Sequence, residues 1–381
     1  MLTTLFKKFF ESEQSGGLIL IFCTLLSLII ANTSSGESYH HLWQMPFAGK
    51  NIEYWINDGL MTIFFLLIGL ELEREIYIGE LSKIKNALLP VFAAIGGMIV
   101  PAAIYFLLNA GTPTQPGTGI PMATDIAFAL TVLSLLGKRV PASLKIFLAA
   151  LAVIDDLGAI LVIAIFYSKT LVWAYLAGAL GIWLVLLLFN RLKIYNLIPY
   201  LIGGVIMWWC MLHSGVHATI TGVLLAFAIP FGNGSEKSIS YILQDALHKP
   251  VVFIILPVFA LANTAIIISP GISSLFYERY SLGIAAGLII GKPLGIFLLT
   301  FIAVKSKTGR LPSDISWKLI AGTGFLGGIG FTMSIFIALL AFDDVHLINN
   351  IKLVILLSSL FAGFAGYVLL RFFMKKQQHG G

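Results

Sequence analysis

The stretch LAVIDDLGAILVIAIFY, residues 151–167, decides how this chain folds. Fifteen of its seventeen residues are apolar or glycine, and the other two are adjacent aspartates, Asp155 and Asp156. With the residues from 142 onward it forms a run long enough to cross a bilayer, which takes about 20 predominantly apolar residues. A charged side chain at mid-membrane costs roughly 2.5–3.5 kcal/mol on insertion scales. Two carboxylates retained there call for a reason beyond packing.

The rest of the chain has the same character. Of 381 residues 58% are hydrophobic and only 11% charged, with a mean hydropathy of +0.95. Soluble domains carry roughly 25% charged residues, so this composition excludes a water-soluble enzyme or binding module. It describes an all-α polytopic membrane protein. The net charge of +6 then records topology rather than nucleic-acid binding. Cys23 and Cys210 both sit in apolar context, so neither a disulfide framework nor a cysteine metal site is indicated. At the start, Glu11 and Glu13 separate the lysines from the first apolar run and no small-residue cleavage site follows. The expectation is an uncleaved amphipathic lead-in before the first span.

Twelve candidate spans follow from hydropathy: 18–31, 58–79, 87–108, 121–136, 142–167, 171–190, 197–212, 216–230, 250–268, 282–304, 319–342 and 351–370. Several fall short of a straight crossing, so broken or tilted helices are expected. Charge checks the count. With both termini on the cytoplasmic side, nineteen of the 24 Lys and Arg lie inside and four, Lys50, Lys169, Arg279 and Lys352, lie outside. Lys292, within a span, completes the set, and the asymmetry obeys the positive-inside rule. Segment 32–58 has turn residues Pro46, Gly49 and Asn51 among aromatics, the pattern of a small surface hairpin. The polar tail, 374–381, reads as disordered.

Asp125, Asp155, Asp156 and Lys292 are the ionisable residues well inside spans. A structural reading pairs Lys292 with one aspartate, which accounts for one of three carboxylates. Neighbours on a helix point about 100° apart, so Asp155 and Asp156 can both border one cavity. Carboxylate oxygens suit a small hard cation and also take protons. One site contested by both is the physical basis of cation/proton exchange. No phosphate-binding loop is present, so an ion gradient is the expected driving force.

Two segments make poor continuous helices: GTGIPMATDIAFAL (117–130), with Pro121 and Asp125, and GTGFLGGIGFTMSIF (322–336), with five glycines. Interrupted segments at corresponding places in two halves point to a transporter site, a rule that itself draws on the family named below. The halves are about 87–167 and 282–370, and they begin on opposite sides, which makes them inverted-topology repeats. Facing helix N-termini are partly positive and C-termini partly negative. Asp125 is suited to offset the first and Lys292 the second, with two interrupted helices crossing at mid-membrane. Asn263 and Thr332 either hydrogen-bond across helices or join the ion path.

The segments NDGLMTIFFLLIGLELERE (57–75), ATDIAFAL (123–130), ALAVIDDLGAI (150–160), HSGVHAT (213–219), GLLIGKPLGI (287–296) and GIGFTMSIFIA (328–338) together resemble the NhaA-type bacterial sodium/proton antiporters. The resemblance runs in order from about residue 12 to 372. It implies a bacterial inner-membrane protein that exports sodium or lithium in exchange for protons, electrogenic and pH-regulated, with no cofactor. By resemblance, Asp155 and Asp156 match the cation-binding, proton-carrying pair. Thr124 and Asp125 match the unwound-helix positions, and Lys292 the lysine near the crossing. Glu71, Arg74 and Glu75, with His217 and His248, match residues tied to pH response. Asp58 matches a carboxylate at the periplasmic end of the second span. The hairpin near 45–55 matches a contact of a homodimer.

One departure touches the pH response. Where the best-known member of that family has Glu, this chain has Gln244, with Asp245 next to it. His213 and His217 stand one turn apart, a spacing that can ligate zinc, yet the Glu of an H-E-x-x-H motif is missing. Two rival classes remain on the residues alone. An intramembrane aspartyl protease needs its aspartates on different helices, and GIGF (328–331) has Phe where such an enzyme needs Asp. A channel would build its filter from symmetric rings.

Overall fold

The structure, a computed structural model, describes residues 13–168, 170–268 and 275–377. Helix α1 (Glu13–Ala31) ends in an Asn-Thr-Ser-Ser turn, and the chain bends by 115° into the polar α2 (Gly36–Gln44). The expected hairpin follows: β1 (Pro46–Phe47) pairs antiparallel with β2 (Lys50–Asn51). Its two turn residues, Ala48 and Gly49, have φ of 49° and 85°. Positive φ at both positions is the two-residue turn whose twist matches a hairpin.

Helix α3 (Ile52–Tyr77) contains a π-turn at Trp55–Leu60. Helix α4 (Ile84–Asn109) carries Pro90 and Pro101. The chain then runs through a 3₁₀ segment, Gln115–Met122, and three extended residues into α5 (Ile126–Ser134). Next come α6 (Ala142–Phe166), α7 (Trp173–Arg191), α8 (Leu197–Ser214), α9 (Ile220–Ala228) and α10 (Ile239–Asn263). The last elements are α11 (Arg279–Lys305), α12 (Trp317–Gly327), α13 (Phe331–Ala341) and α14 (Val345–Gln377).

Each of the twelve expected spans falls on a helical segment. Among the described residues, however, only 9 helices are long and apolar enough to cross a membrane, or up to 11 if each bent pair is one span. The short case is span 216–230. It is the 9-residue α9, about 14 Å at 1.5 Å per residue. Gly215, at φ 86°, ends α8 just before it and Pro230 follows it. Of the polar tail 374–381, only the first four residues are described. Residues 374–377 continue α14, since no Gly or Pro interrupts the sequence before Gly380. The lead-in up to residue 12 and residues 378–381 lie outside the described residues.

The chain divides into two compact units. One comprises residues up to 39, 83–159 and 263 onward, and holds nearly all of both expected repeat halves. Within it α4 and α11 pack backbone to backbone. A Cβ on Gly96 would collide with the carbonyl oxygen of Gly295, and a Cβ on Gly295 with that of Gly96. Small residues let helices approach this closely where lipid offers no hydrophobic drive for association. The other unit, residues 40–82 and 160–262, is built on a core that includes Leu66, Leu70, Leu186, Tyr200, Met207 and Leu225.

Candidate functional site

The two interrupted segments meet at their breaks. The backbone N–H of Asp125 donates to the carbonyl of Ile329 at 2.6 Å, and the Thr124 hydroxyl reaches the carbonyl of Gly327 at 2.9 Å. Four helix ends are thereby left among buried apolar side chains, where unsatisfied backbone groups are costly. Asp125 closes two of them. Its Oδ1 accepts the Phe128 N–H at 2.9 Å as N-cap of α5, while Oδ2 accepts from the Thr332 N–H at 3.1 Å and the Thr332 hydroxyl at 2.5 Å. The Ser359 hydroxyl takes the N–H groups of Gly330 and Phe331, each at 3.2 Å. Every one of these donors belongs to an opening turn of α5 or α13, where the helix dipole is positive.

The carbonyl ends are met by cation and hydroxyl. Lys292 Nζ donates to the carbonyl of Met122, the last residue of the 3₁₀ segment, and to Oδ2 of Asp155. Both side chains of that ion pair are fully buried. Local sequence places the lysine. Gly287–Gly291 forms a π-turn directly before it, and Pro293 after it has no N–H to continue the ladder. Gly291 lies against Pro101 and Gly287 against Pro121, so this face of α11 sits close to the crossing.

Asp155 and Asp156 are both buried on α6. Asp155 Oδ2 also accepts from Thr124 Oγ1 at 2.6 Å. That hydroxyl has one proton and two acceptors, Asp155 and Gly327, so it serves one of them at a time. Oδ1 of Asp155 is buried without a hydrogen-bond partner. Asp156 lies within electrostatic reach of Lys292. The site therefore gathers three carboxylates, one ammonium and two backbone carbonyls inside one unit. Removing either partner of the Lys292–Asp155 pair alone would leave the other as an uncompensated buried charge, at a cost of roughly 3–5 kcal/mol.

The residues expected to set the pH response occupy two places in the other unit. His248 Nδ1 lies 3.8 Å from Glu71 Oε1, and the Arg74 guanidinium stands over the Tyr241 ring at 4.6 Å. Glu75 lies one turn before Gly79, whose missing side chain leaves room for its carboxylate. Gln244 and Asp245 are on α10, on the same 12-residue stretch as Tyr241 and His248. Separately, His217 Nε2 is 2.9 Å from the carbonyl of Tyr167, and it lies within electrostatic reach of Asp58, which also hydrogen-bonds Tyr54. His213 packs against Trp209 with ring centroids 4.6 Å apart and planes tilted by 43°. Among the described residues no group of three or more His, Cys, Asp or Glu could hold a metal ion. Asn263 is buried at the end of α10. The hairpin exposes Phe47.

Two groups of the site, and one buried carboxylate in the other unit, were not picked out from the sequence. The Met122 carbonyl and Ser359 carry no motif. Glu73 does carry a signal: it is only 4% exposed, with Oε2 lacking a hydrogen-bond partner. Glu71 and Glu73 are separated by about 200° around a helix, and Leu66, Leu70 and Glu73 follow the i, i+4, i+7 spacing of a buried face.

Buried helices that break, cross and cap one another beside a Lys–Asp pair define a class, the polytopic helical membrane proteins with crossed, interrupted helices. The family model for Na+/H+ antiporter 1 matches residues 7–370. The Na(+)/H(+) antiporter NhaA of Flavobacterium psychrophilum is 68% identical over 374 residues, covering 98% of this chain and 97% of that one. The proteins of the same name from Cytophaga hutchinsonii and Dechloromonas aromatica are 59% and 58% identical, each covering 98% of this chain and 97% of its own. The chain belongs to the Na+/H+ antiporter 1 family.

Proposed function

We propose that this chain exchanges cytoplasmic sodium for external protons, and that both compete for Asp155 and Asp156. The observation that carries the reading is the buried Lys292 ammonium on Asp155 Oδ2. Lys292 occupies one oxygen of the site as a built-in monovalent cation, while Asp155 Oδ1 stays buried without a donor. A sodium ion, taken as substrate, finds oxygen ligands in the two carboxylates, the Thr124 hydroxyl and water. It must displace the ammonium and the protons first. With the site open to the cytoplasm, sodium enters as protons leave. The loaded site then reorients, and external protons reverse the exchange.

Asp125, Thr124 and Lys292 serve the same cycle by offsetting the dipoles of the four helix ends, so the breaks persist in both orientations. Two protons inward per sodium outward makes the cycle electrogenic, each net charge gaining about 2.3 kcal/mol per 100 mV. Lithium follows sodium as a small hard cation. Glu71, Arg74, Glu75, His217 and His248 set the pH response, with Gln244 and Asp245 altering its range. The protein sits in the bacterial inner membrane with both termini cytoplasmic, its repeats inverted about residues 87–167 and 282–370. It dimerises through the β1–β2 hairpin and needs no cofactor.

The test is sodium-induced dequenching of a pH-sensitive dye in everted vesicles, scanned from about pH 6 to 9. Asp155→Asn and Asp156→Asn conserve volume and lose charge, and each should abolish the signal. Sodium-driven dequenching that survives either change would refute the shared site. In proteoliposomes, exchange indifferent to an imposed membrane potential would exclude the two-for-one stoichiometry.

A further inference from the structure

The end of α14 and the turn after α5 enclose a groove of about 390 Å³, lined by Leu135, Leu136, Gly137, Arg139, Tyr367, Arg371 and Met374. Among the described residues that line it are two guanidinium groups and no carboxylate. Arg371 donates to the Tyr367 hydroxyl at 3.4 Å and lies 6.0 Å from that ring's centroid. Since the hydroxyl accepts there, its own proton remains free to be donated. Both arginines are exposed. Two forks of donors and a phenol converging on one cavity make a receptor for a phosphodiester, which guanidinium binds through paired N–H···O bonds.

The surface leading away from the groove says which phosphate. Leu357, Leu360, Phe361, Phe364 and Val368 are each at least 40% exposed. At 100° per residue they fall with Arg371 on one stripe of α14. An apolar track ending at a pair of cations has the shape and polarity of an anionic phospholipid, tails along the helix and headgroup in the groove. Isolated basic residues at a span end need no ligand, because they snorkel to the interface. Two that share one cavity, with no acidic side chain among its described lining residues, are a different case, since basic pockets between membrane helices are where anionic headgroups bind.

We propose that Arg139, Arg371 and Tyr367 form a specific site for the phosphodiester headgroup of an anionic phospholipid, whose acyl chains lie along Phe364 and Val368. The site ties α14 to the turn that follows α5, so an occupied groove clamps two elements that also flank the crossing.

The test titrates the full chain in detergent with phosphatidylglycerol, with phosphatidylethanolamine of the same chains, and with inorganic phosphate, counting adducts by native mass spectrometry. Phosphatidylglycerol should bind more tightly than phosphatidylethanolamine. The R139Q/R371Q double variant should lose about thirtyfold of that affinity, from two basic groups near the surface. The R139K/R371K variant, which keeps both charges but loses the paired forks, should recover only part of it. Labelling the wild-type chain with phenylglyoxal, mapped by peptide mass, reads the groove without any variant having to fold; phosphatidylglycerol should protect Arg139 and Arg371. Equal phosphatidylglycerol binding by the wild type and the Gln variant overturns the site. Protection by inorganic phosphate alone, equal to that by lipid, overturns the lipid in favour of a free anion. Protection that rises with protein concentration in the absence of lipid overturns it in favour of a second copy of the chain.

Discussion

The Thr332 backbone N–H and hydroxyl both donate to Oδ2 of Asp125, at 3.1 and 2.5 Å, from a position 207 residues away in the chain. The other oxygen of the same carboxylate caps α5. A single side chain thus closes the N-termini of two helices that begin in the middle of a span, and this shared cap joins the two segments at the crossing.

Removing that carboxylate tests the cap. Asp125→Ala leaves buried donors on Phe128 and Thr332 without an acceptor, at about 1–3 kcal/mol for each orphaned group. The thermal unfolding midpoint in detergent should fall clearly, with Asp125→Asn intermediate because it restores one acceptor. An alanine variant as stable as wild type would mean that the helix ends find other partners.

The ammonium on Asp155 is proposed to compete with sodium. Lys292→Gln removes that competitor and should tighten sodium binding at fixed pH, read by titration calorimetry. It should also weaken the dependence of exchange on membrane potential, because one charge no longer moves. Unchanged or weaker sodium binding would show that Lys292 supports the site instead of contesting it.

Gly295 is a packing prediction that does not depend on transport. Gly295→Val drives side-chain carbon into the Gly96 carbonyl oxygen, between two helix backbones with no flexible end to give way. Overpacking of this kind costs about 1–3 kcal/mol. The variant should melt lower in detergent, whereas Gly181→Ala should not, since nothing lies within 4 Å of a Cβ there. Equal melting of the two variants would contradict the close approach of α4 and α11.

The proposed pH response rests on two pairs that can be tested separately. Glu71 and His248 are 3.8 Å apart with His248 58% exposed, so the pair contributes at most about 1 kcal/mol to stability. Glu71→Gln should leave stability unchanged while altering the pH profile of exchange. His217 lies within electrostatic reach of Asp58. Their single substitutions should shift the profile, and the double variant should shift it no further than the larger single effect. Additive shifts would show that the two act independently.

Much of this was legible before any coordinates. Asp155, Asp156 and Lys292 stood out because a charge inside an apolar run is expensive, and a sequence that keeps one advertises its use. The hairpin showed in Pro46 and Gly49 because turns have local chemistry. Glu73 was legible but missed, since its neighbours Glu71 and Glu75 drew attention to the charged faces of α3.

The sequence by itself determined the class, the positions of the spans and the identity of the buried ionisable groups, because hydropathy and charge are properties of residues in order along the chain. Tertiary structure alone decided which of those groups meet. Thr332 on Asp125, Lys292 on the Met122 carbonyl, Ser359 under the first turn of α13 and Arg139 beside Arg371 all join residues far apart in sequence. Such pairings follow from how broken helices satisfy their exposed ends inside the packed unit, and no local pattern encodes that solution. It also decided that span 216–230 would be a nine-residue helix, because the left-handed Gly215 and Pro230 close it at both ends.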